Sequence, residues 1–573
     1  MPLDEQPAGP GAGQTDYTAL IPPSSLGDLL DRAVRDTPRR TALFFHKRRV
    51  SYRKLQEQAE RIAAGLRRHG LNPGDRVAVM LPNLPQAVFA FWGVLKAGGV
   101  VVMTNPLYME KELTHHLADS GARFLITLDM LWSRIAPLRG KVPLEKVFVT
   151  RISEGLAFPY NKMLEFKNRR GKSQPKVPFD GQAVFPWSSL AAGAERYSCQ
   201  VENPAASLAL LQYTGGTTGV SKGVMLTHYN LTAQAFQIKT KLEMADADYQ
   251  HTFVAILPFF HVYGLIVCLL VPTSISASVI LVPRYAPMDV LEIIKKRKPT
   301  VFPGAPSLYI SLMQQKNVSN YDLTCIHYCV SGSAAMPVSK FEEFQKLTAA
   351  RIIEGYGLTE ASPVTHLNPL IPPKGPTRHG SIGEPIPFTE AKIVDMELGN
   401  IEMPVGVPGE LVVRGPQVML GYWNNPDETA GAIRNGWLYT GDIARVDEDG
   451  FYYIVDRKKD MYIVNGYNVY PREIDEVLAD HPKVFEAITV GLPHGTRGET
   501  LKAFVVPKPG ETPTKEEVIA HCRKKLASYK VPRRVEFRSE LPKSAVGKIL
   551  RRIILNEELQ KRAEKGASPD AQD

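Results

Sequence analysis

The residues best suited to chemistry stand in LALLQYTGGTTGVSKGVMLTHYN, where an apolar run ends at Tyr213 and four Gly and three Thr follow between Thr214 and Gly223. A loop of that composition lets backbone N–H groups turn inward on phosphate oxygens, with Thr hydroxyls as further donors and Lys222 as a cation. The apolar run reads as a strand, and the loop leads towards a helix. The Walker A pattern does not apply, because Gly223 rather than Ser or Thr follows Lys222. Gly219, Ser221 and Gly223 satisfy GxSxG in form. A nucleophile elbow, however, turns tightly from strand into helix, whereas Gly/Thr-rich loop separates this serine from its strand, and no acid and histidine stand out on strand ends downstream. A nucleotide loop is the better reading than a hydrolase.

Four further segments follow: EGYGLTE (Glu354 to Glu360), YTGD (Tyr439 to Asp442), DRKKD (Asp456 to Asp460) and PKSAVGKILRR (Pro542 to Arg552). In this order, the five motifs resemble the adenylate-forming superfamily, which comprises acyl- and aryl-CoA ligases, luciferases and peptide-synthetase adenylation domains. The resemblance covers about residues 25 to 560. NGWLYTGDIARVDEDGFYYIVDRKK resembles the signature stretch of fatty acyl-CoA synthetases, and the glycine-rich loop together with DMYIVNGYNVYPREI is most similar to bacterial long-chain fatty acid:CoA ligases.

The resemblance implies a two-step reaction. A fatty carboxylate attacks the α-phosphate of ATP to give acyl-AMP and pyrophosphate, and the CoA thiol then displaces AMP. It places Tyr213, Thr214, Gly215, Gly216, Thr217, Thr218, Gly219, Lys222, Gly355, Tyr356, Gly357, Thr359, Asp442 and Arg457 around ATP. Asp442 would accept the ribose hydroxyls and Tyr356 would lie against adenine. Glu360, with Thr214, would bind Mg²⁺, a hard cation that bridges phosphates with few protein carboxylates. Lys548 would reach the α-phosphate, and His261 in PFFHVYG the substrate carboxylate, so that the catalytic set is Lys548, Glu360, Thr214 and His261. Phe260, His261, Tyr263, Gly332 and Ala334 are the acyl-pocket candidates. A C-terminal domain would rotate about a hinge at Lys459, presenting Lys548 in the first step and Gly466 beside the pantetheine path in the second; by itself Gly466 reads as a plain turn in VNGYN.

The elements that must position these residues are legible as patterns. From about Ser25 to Ala350, helical periods alternate with short apolar strands, including helix LGDLLDRAVRDTP, strand DRVAVMLPN, helix LPQAVFAFWGVLKAG, and strands VVVMTN and ARFLITL. Such alternation predicts parallel α/β layers. Turn-rich β segments then make a β-rich subdomain over about 379–458, and a small α+β unit over 459–561 opens with MYIVNGYNVY read as one strand. The expected division is a loose tail over 1–24, an α/β body with its β-rich subdomain over 25–458, a mobile α+β cap over 459–561 and a charged tail over 562–573.

The 573 residues are 44% hydrophobic and 22% charged, which excludes pervasive disorder and collagen. Net charge +10 favours anionic partners: phosphorylated molecules, membrane surfaces or nucleic acid. Nucleic acid is not expected, because the aromatics sit in core patterns rather than beside exposed Lys/Arg clusters. Five scattered cysteines without a CxxC pair point to a reducing cytoplasm. Cys325, His327 and Cys329 in CIHYC read as one face of a strand rather than a metal site. Gly264 to Val282 is long and apolar, but Pro272 and the TSISAS section divide it, so a buried helix followed by a buried strand is expected. Leu156 to Lys176 combines Phe158, Met163, Leu164 and Phe166 with Lys162, Lys167, Arg169, Arg170, Lys172 and Lys176. It reads either as a peripheral contact with an anionic membrane on its inner face or as a solvated loop. A homodimer is a further candidate state. The leading expectation is a long-chain fatty acid:CoA ligase with Mg²⁺, ATP and CoA. The alternatives are a medium-chain or aryl acid:CoA ligase, or an acyl-AMP ligase that loads a carrier protein.

Overall fold

The computed structural model describes residues 17–170, 176–214, 221–246, 249–333, 336, 338–370, 378–465, 467–494, 498–544 and 547–564. Its described strands fall into four sheets. The alternation of helix and strand in the first 350 residues produces two of them, largely parallel. The eight-stranded sheet runs in the order Gly421–Tyr422, Lys222–Thr227, Leu208–Thr214, Val100–Met103, Arg76–Met80, Phe124–Leu128, Lys146–Thr150, Val184–Pro186, with antiparallel pairing confined to its first three strands. The nine-stranded sheet has the parallel centre Arg351–Gly357, Tyr328–Ser331, Val301–Gly304, Thr252–Ala255, Ser278–Leu281, Thr41–Phe45 and antiparallel strands at both edges.

Strands covered on both faces must be apolar throughout. The strands Val100–Met103 and Phe124–Leu128 are buried at every position. The helix Pro85–Lys96 is also buried all round, including its Lys96, whose Nζ lies 2.7 Å from Asp31 Oδ1. At the body's edge, the helix Leu26–Asp36 shows the usual amphipathic division. Its Ser25 cap accepts from Asp28 N–H while Asp28 accepts in return.

A five-stranded antiparallel sheet built on Glu390–Val394, Gly409–Arg414 and Trp437–Val446 adjoins this body, with Tyr452–Arg457 paired to Trp437–Val446. One continuous core runs from Leu26 to Tyr452. Beyond Arg457 the hydrophobic contacts separate into two small cores, one around Ile474, Val505 and Cys522 and one around Ile488, Phe504 and Ile554. A compact α+β unit therefore packs on its own, joined to the body through the segment that holds Lys459.

Several local expectations need correction. The glycine-rich loop leads not into a helix but into the strand Lys222–Thr227, which returns antiparallel on Leu208–Thr214; the helix His228–Asp246 begins only afterwards. MYIVNGYNVY is a hairpin, Tyr462–Val464 against Tyr467–Val469, because Asn465 takes φ +52° and reverses the chain. In CIHYC the strand begins at Tyr328, so Cys325 and His327 precede it and the three residues share no strand face. The final helix, Arg551–Glu564, extends past the boundary placed at 561. Gly264 to Val282 is a buried helical run followed by the buried strand Ser278–Leu281. No described helix is long and apolar enough to cross a membrane.

Candidate active site

In open α/β sheets, ligands collect beyond the carboxyl ends of the strands. Here both parallel sheets end on one cleft of ≈ 320 Å³, a size that suits a small molecule. Thr214 closes Leu208–Thr214, His261 to Tyr263 follow Thr252–Ala255, and Ser331 to Ser333 follow Tyr328–Ser331. Gly355 to Glu360 close Arg351–Gly357. The β-rich sheet adds Thr440, Gly441, Asp442 and Arg457, and the C-terminal unit adds Lys548. A larger surface groove beside Met313, Val318 and Leu347 lies at no strand end and gathers only Glu342, Glu343 and Lys346 as charged groups.

At one end of the cleft Asp442 is buried, and its two oxygens already serve as acceptors. Tyr356 donates its hydroxyl to Oδ2, and Arg457 Nε lies 3.2 Å from Oδ1. Asp442 and Arg457 are register partners on adjacent antiparallel strands, so pairing itself places them side by side. A carboxylate held by neighbours with displaceable donors can accept a diol.

The cleft is also lined from the roots of the glycine-rich loop. Thr214 and Lys222 are register partners at the two roots of the glycine-rich loop. Lys222 Nζ lies 2.7 Å from Glu428 Oε2 and 5.3 Å from the Tyr422 ring centre. Tyr422 donates to Glu360 Oε1 at 2.8 Å, which orients that carboxylate in the cleft lining. Thr214 and Glu360 supply hard oxygen donors. Among the described residues, no cluster of three or more His, Cys, Asp or Glu could hold a metal alone. That donor set fits Mg²⁺ carried largely by phosphates and water.

Lys548 projects into the cleft from the C-terminal unit and meets solvent there, yet protein surrounds it at longer range. Removal from bulk water, followed by the charge of Arg457, lowers its pKa to about 8. Its approach depends on Gly547, which has φ +80° and stands so close to the helix Pro306–Met313 that a Cβ would come 2.3 Å from Ser307 Oγ. His261 Nδ1 accepts from Tyr263 N–H at 3.4 Å; burial and then Lys548 lower its pKa to about 4. The ring is therefore neutral at pH 7 and carries its proton on Nε2.

On the third side Tyr263 donates to Val330 O at 2.8 Å, and a Cβ on Gly332 would come within 3.0 Å of its ring. The missing side chain is what lets the two walls approach. Phe260 is half-buried in the core and does not line the cleft, although its carbonyl accepts from Gln212 Nε2 at 2.7 Å. Tyr213 is likewise turned away. Neighbouring residues on a strand face opposite sides, so Thr214 faces the cleft while Tyr213 donates to Asp119 Oδ2 and packs on His116.

Lys459, read as the hinge, also lines the cleft. Gly215, Gly216, Thr217, Thr218, Gly219, Ala334 and Gly466 lie outside the described residues. Two partners were not anticipated, Tyr422 and Glu428. They belong to GYWNNPDETA, whose only local cue is a helix start, Asn425 accepting from Glu428 N–H. Nothing in that cue points back some 200 residues to Lys222.

Comparison with known proteins gives concordant matches. Residues 30–423 match the family model described as AMP-binding enzyme, and residues 473–548 match the AMP-binding enzyme C-terminal domain. A Long-chain-fatty-acid--CoA ligase of Bacillus subtilis is 43% identical over 550 residues, covering 94% of this chain and 96% of that one. A protein of the same name from Escherichia coli is 41% identical over 539 residues, covering 93% and 94%. The solved structure of the anthranilate CoA ligase AuaEII in complex with anthranoyl-AMP superposes with a TM-score of 0.83 at 28% identity, covering 96% of this chain and 99% of that one.

Lys548 supplies a pH test. If its ammonium is the working form, kcat/KM for ATP in acyl-AMP formation is full below and falls as pH rises through about 8. The absence of any alkaline limb up to about 10.4, where an ordinary lysine titrates, would contradict that role, whereas a limb near that value would contradict the lowered pKa alone.

Proposed function

The chain belongs to the AMP-binding enzyme family, and from that membership we propose that it is an AMP-forming long-chain fatty acid:CoA ligase. A carboxylate oxygen of the fatty acid bonds to the α-phosphorus of ATP as the bond to pyrophosphate breaks. The CoA thiol, losing its proton, then bonds to the acyl carbon as AMP leaves. The observation that carries this reading is the convergence, in one cleft, of Lys548 from the C-terminal unit with Asp442, Arg457, Lys222 and Glu360 from the body.

Attacking and attacked groups are both anions in the first step, so the protein's task is to neutralise and align them. Asp442 accepts the ribose hydroxyls, displacing the Tyr356 hydroxyl, whose ring then lies beside the base; Arg457 stays close to the ribose and phosphate. Lys222 exchanges Glu428 for the outer phosphates. Lys548 donates to the α-phosphate and the incoming carboxylate. Neutral His261 donates from Nε2 without adding charge. Mg²⁺, held by Glu360 and Thr214, would further offset the polyphosphate. Tyr263 and Gly332 bound the acyl side.

Pyrophosphate release across C2 to C20 carboxylates and aryl acids tests the substrate class. The expected result is highest kcat/KM for long fatty acids, with acyl-CoA formed only when CoA is present. Preference for aryl or short acids would replace it with one of the other ligase classes, and acyl-AMP released without use of CoA would indicate carrier-protein loading.

The enzyme also meets its water-insoluble substrate at a surface suited to membranes. The helix Tyr160–Arg170 and the residues before it expose Phe158 (79%), Met163 (62%) and Phe166 (57%) beside Lys162 and Lys167. Apolar rings among cations bind an anionic bilayer, with about 1 kcal/mol from each charge near the surface. Flotation should recover the wild-type chain with phosphatidylglycerol vesicles, whereas Lys162→Gln/Lys167→Gln/Lys176→Gln should stay in the dense fraction. Equal flotation of both would exclude this segment.

A further inference from the structure

The body ends with the strand Tyr452–Arg457, and the helix Pro471–Ala479 belongs to the C-terminal unit beyond Lys459. The first N–H groups of a helix need acceptors from outside it. At this helix the N-cap position is Tyr470, which makes no side-chain capping hydrogen bond. The acceptor comes instead from across the hinge: Asp456 Oδ2 accepts from Arg472 N–H at 2.8 Å, while Oδ1 accepts from Arg457 N–H at 2.7 Å. Asp456 is only 4% exposed, so these N–H groups and the helix N-terminus stand in for water around its carboxylate. The helix Lys515–Lys525 in the same unit is capped locally, Thr514 accepting from Glu517 N–H and Glu517 from Thr514 N–H.

The capped helix is fastened in turn to the segment that carries Lys548. Arg551, three residues further on, sets Nη2 2.5 Å from Asp475 on that helix and Nη1 3.2 Å from Asp460, and donates from Nε to Thr489 O at 3.0 Å. The Pro471 helix and the segment that carries Lys548 are thus tied by the Arg551 guanidinium, in addition to packing on the shared strand Val484–His494.

We propose that Asp456 is a positioning residue for acyl-AMP formation, capping the Pro471 helix from the body and so holding the C-terminal unit where Lys548 enters the cleft. The inference rests on the two-step ligase reading. Rotation about Lys459 leaves Asp456 with the body and carries the helix away, so the contact favours the first arrangement alone, and the thiol step makes no use of it.

The test measures two half-reactions in the full-length chain: fatty-acid-dependent ATP–pyrophosphate exchange, and conversion of supplied acyl-AMP to acyl-CoA. Asp456→Ala should slow exchange about tenfold, the scale of a lost helix cap, and leave thioester formation at or above the wild-type rate. Asp456→Asn, which keeps an oxygen acceptor and the shape, should show the same selectivity at smaller size, and it carries the test if the alanine variant folds poorly. Parallel loss of both half-reactions, or unchanged exchange in both variants, overturns the cap. A wild-type chain inactive in both half-reactions overturns the ligase reading and the inference with it; a competent wild type beside unselective variants overturns the cap alone.

Discussion

Bringing a carboxylate against a polyphosphate sets anion against anion, and that repulsion is the constraint to which the architecture answers. Lys222 stands at the root of the glycine-rich loop, Arg457 beside Asp442, and Lys548 at the cleft mouth. Each reaches the cleft from a different sheet or unit. Spreading the three cations over separate elements lets them approach the cleft from different sides. In the structure Lys222 rests on Glu428 and Arg457 on Asp442.

The same distribution couples chemistry to domain arrangement. Lys548 is supplied by a unit with its own cores, which among the described residues meets the body at the approach of Gly547 to Ser307, at the acceptance of Arg472 N–H by Asp456, and in the cleft itself. Under the proposed two-step reading, polar contacts of this kind suit an arrangement that must be made for one step and released for the other.

Much of this was legible in the sequence because it is periodic or local. The alternation of helix and strand gave the parallel layers, since the helices at Leu26 and Pro85 and the strands at Arg76, Val100 and Phe124 carry their period in their own residues. Thr214, Glu360, Asp442, Arg457 and Lys548 were found by motif, and the fold brings them to one cleft. What was missed depends on chain reversal or on distant partners. Tyr213 and Phe260 stand inside the motifs, but strand alternation turns Tyr213 onto Asp119 and core packing keeps Phe260 out of the cleft lining. The glycine-rich loop reads as leading towards a helix, yet Lys222–Thr227 pairs back on Leu208–Thr214, and MYIVNGYNVY reads as one strand although the chain reverses at Asn465. Tyr422 and Glu428 gain their meaning only when strand pairing carries them to the phosphate loop.

The central claim is that a lysine delivered by the C-terminal unit serves acyl-AMP formation and not the thiol step. Its most direct test is Lys548→Ala assayed separately in the two half-reactions. The expected result is loss of ATP–pyrophosphate exchange with conversion of supplied acyl-AMP to acyl-CoA retained. Exchange at the wild-type rate, or equal loss of both half-reactions, would contradict the account.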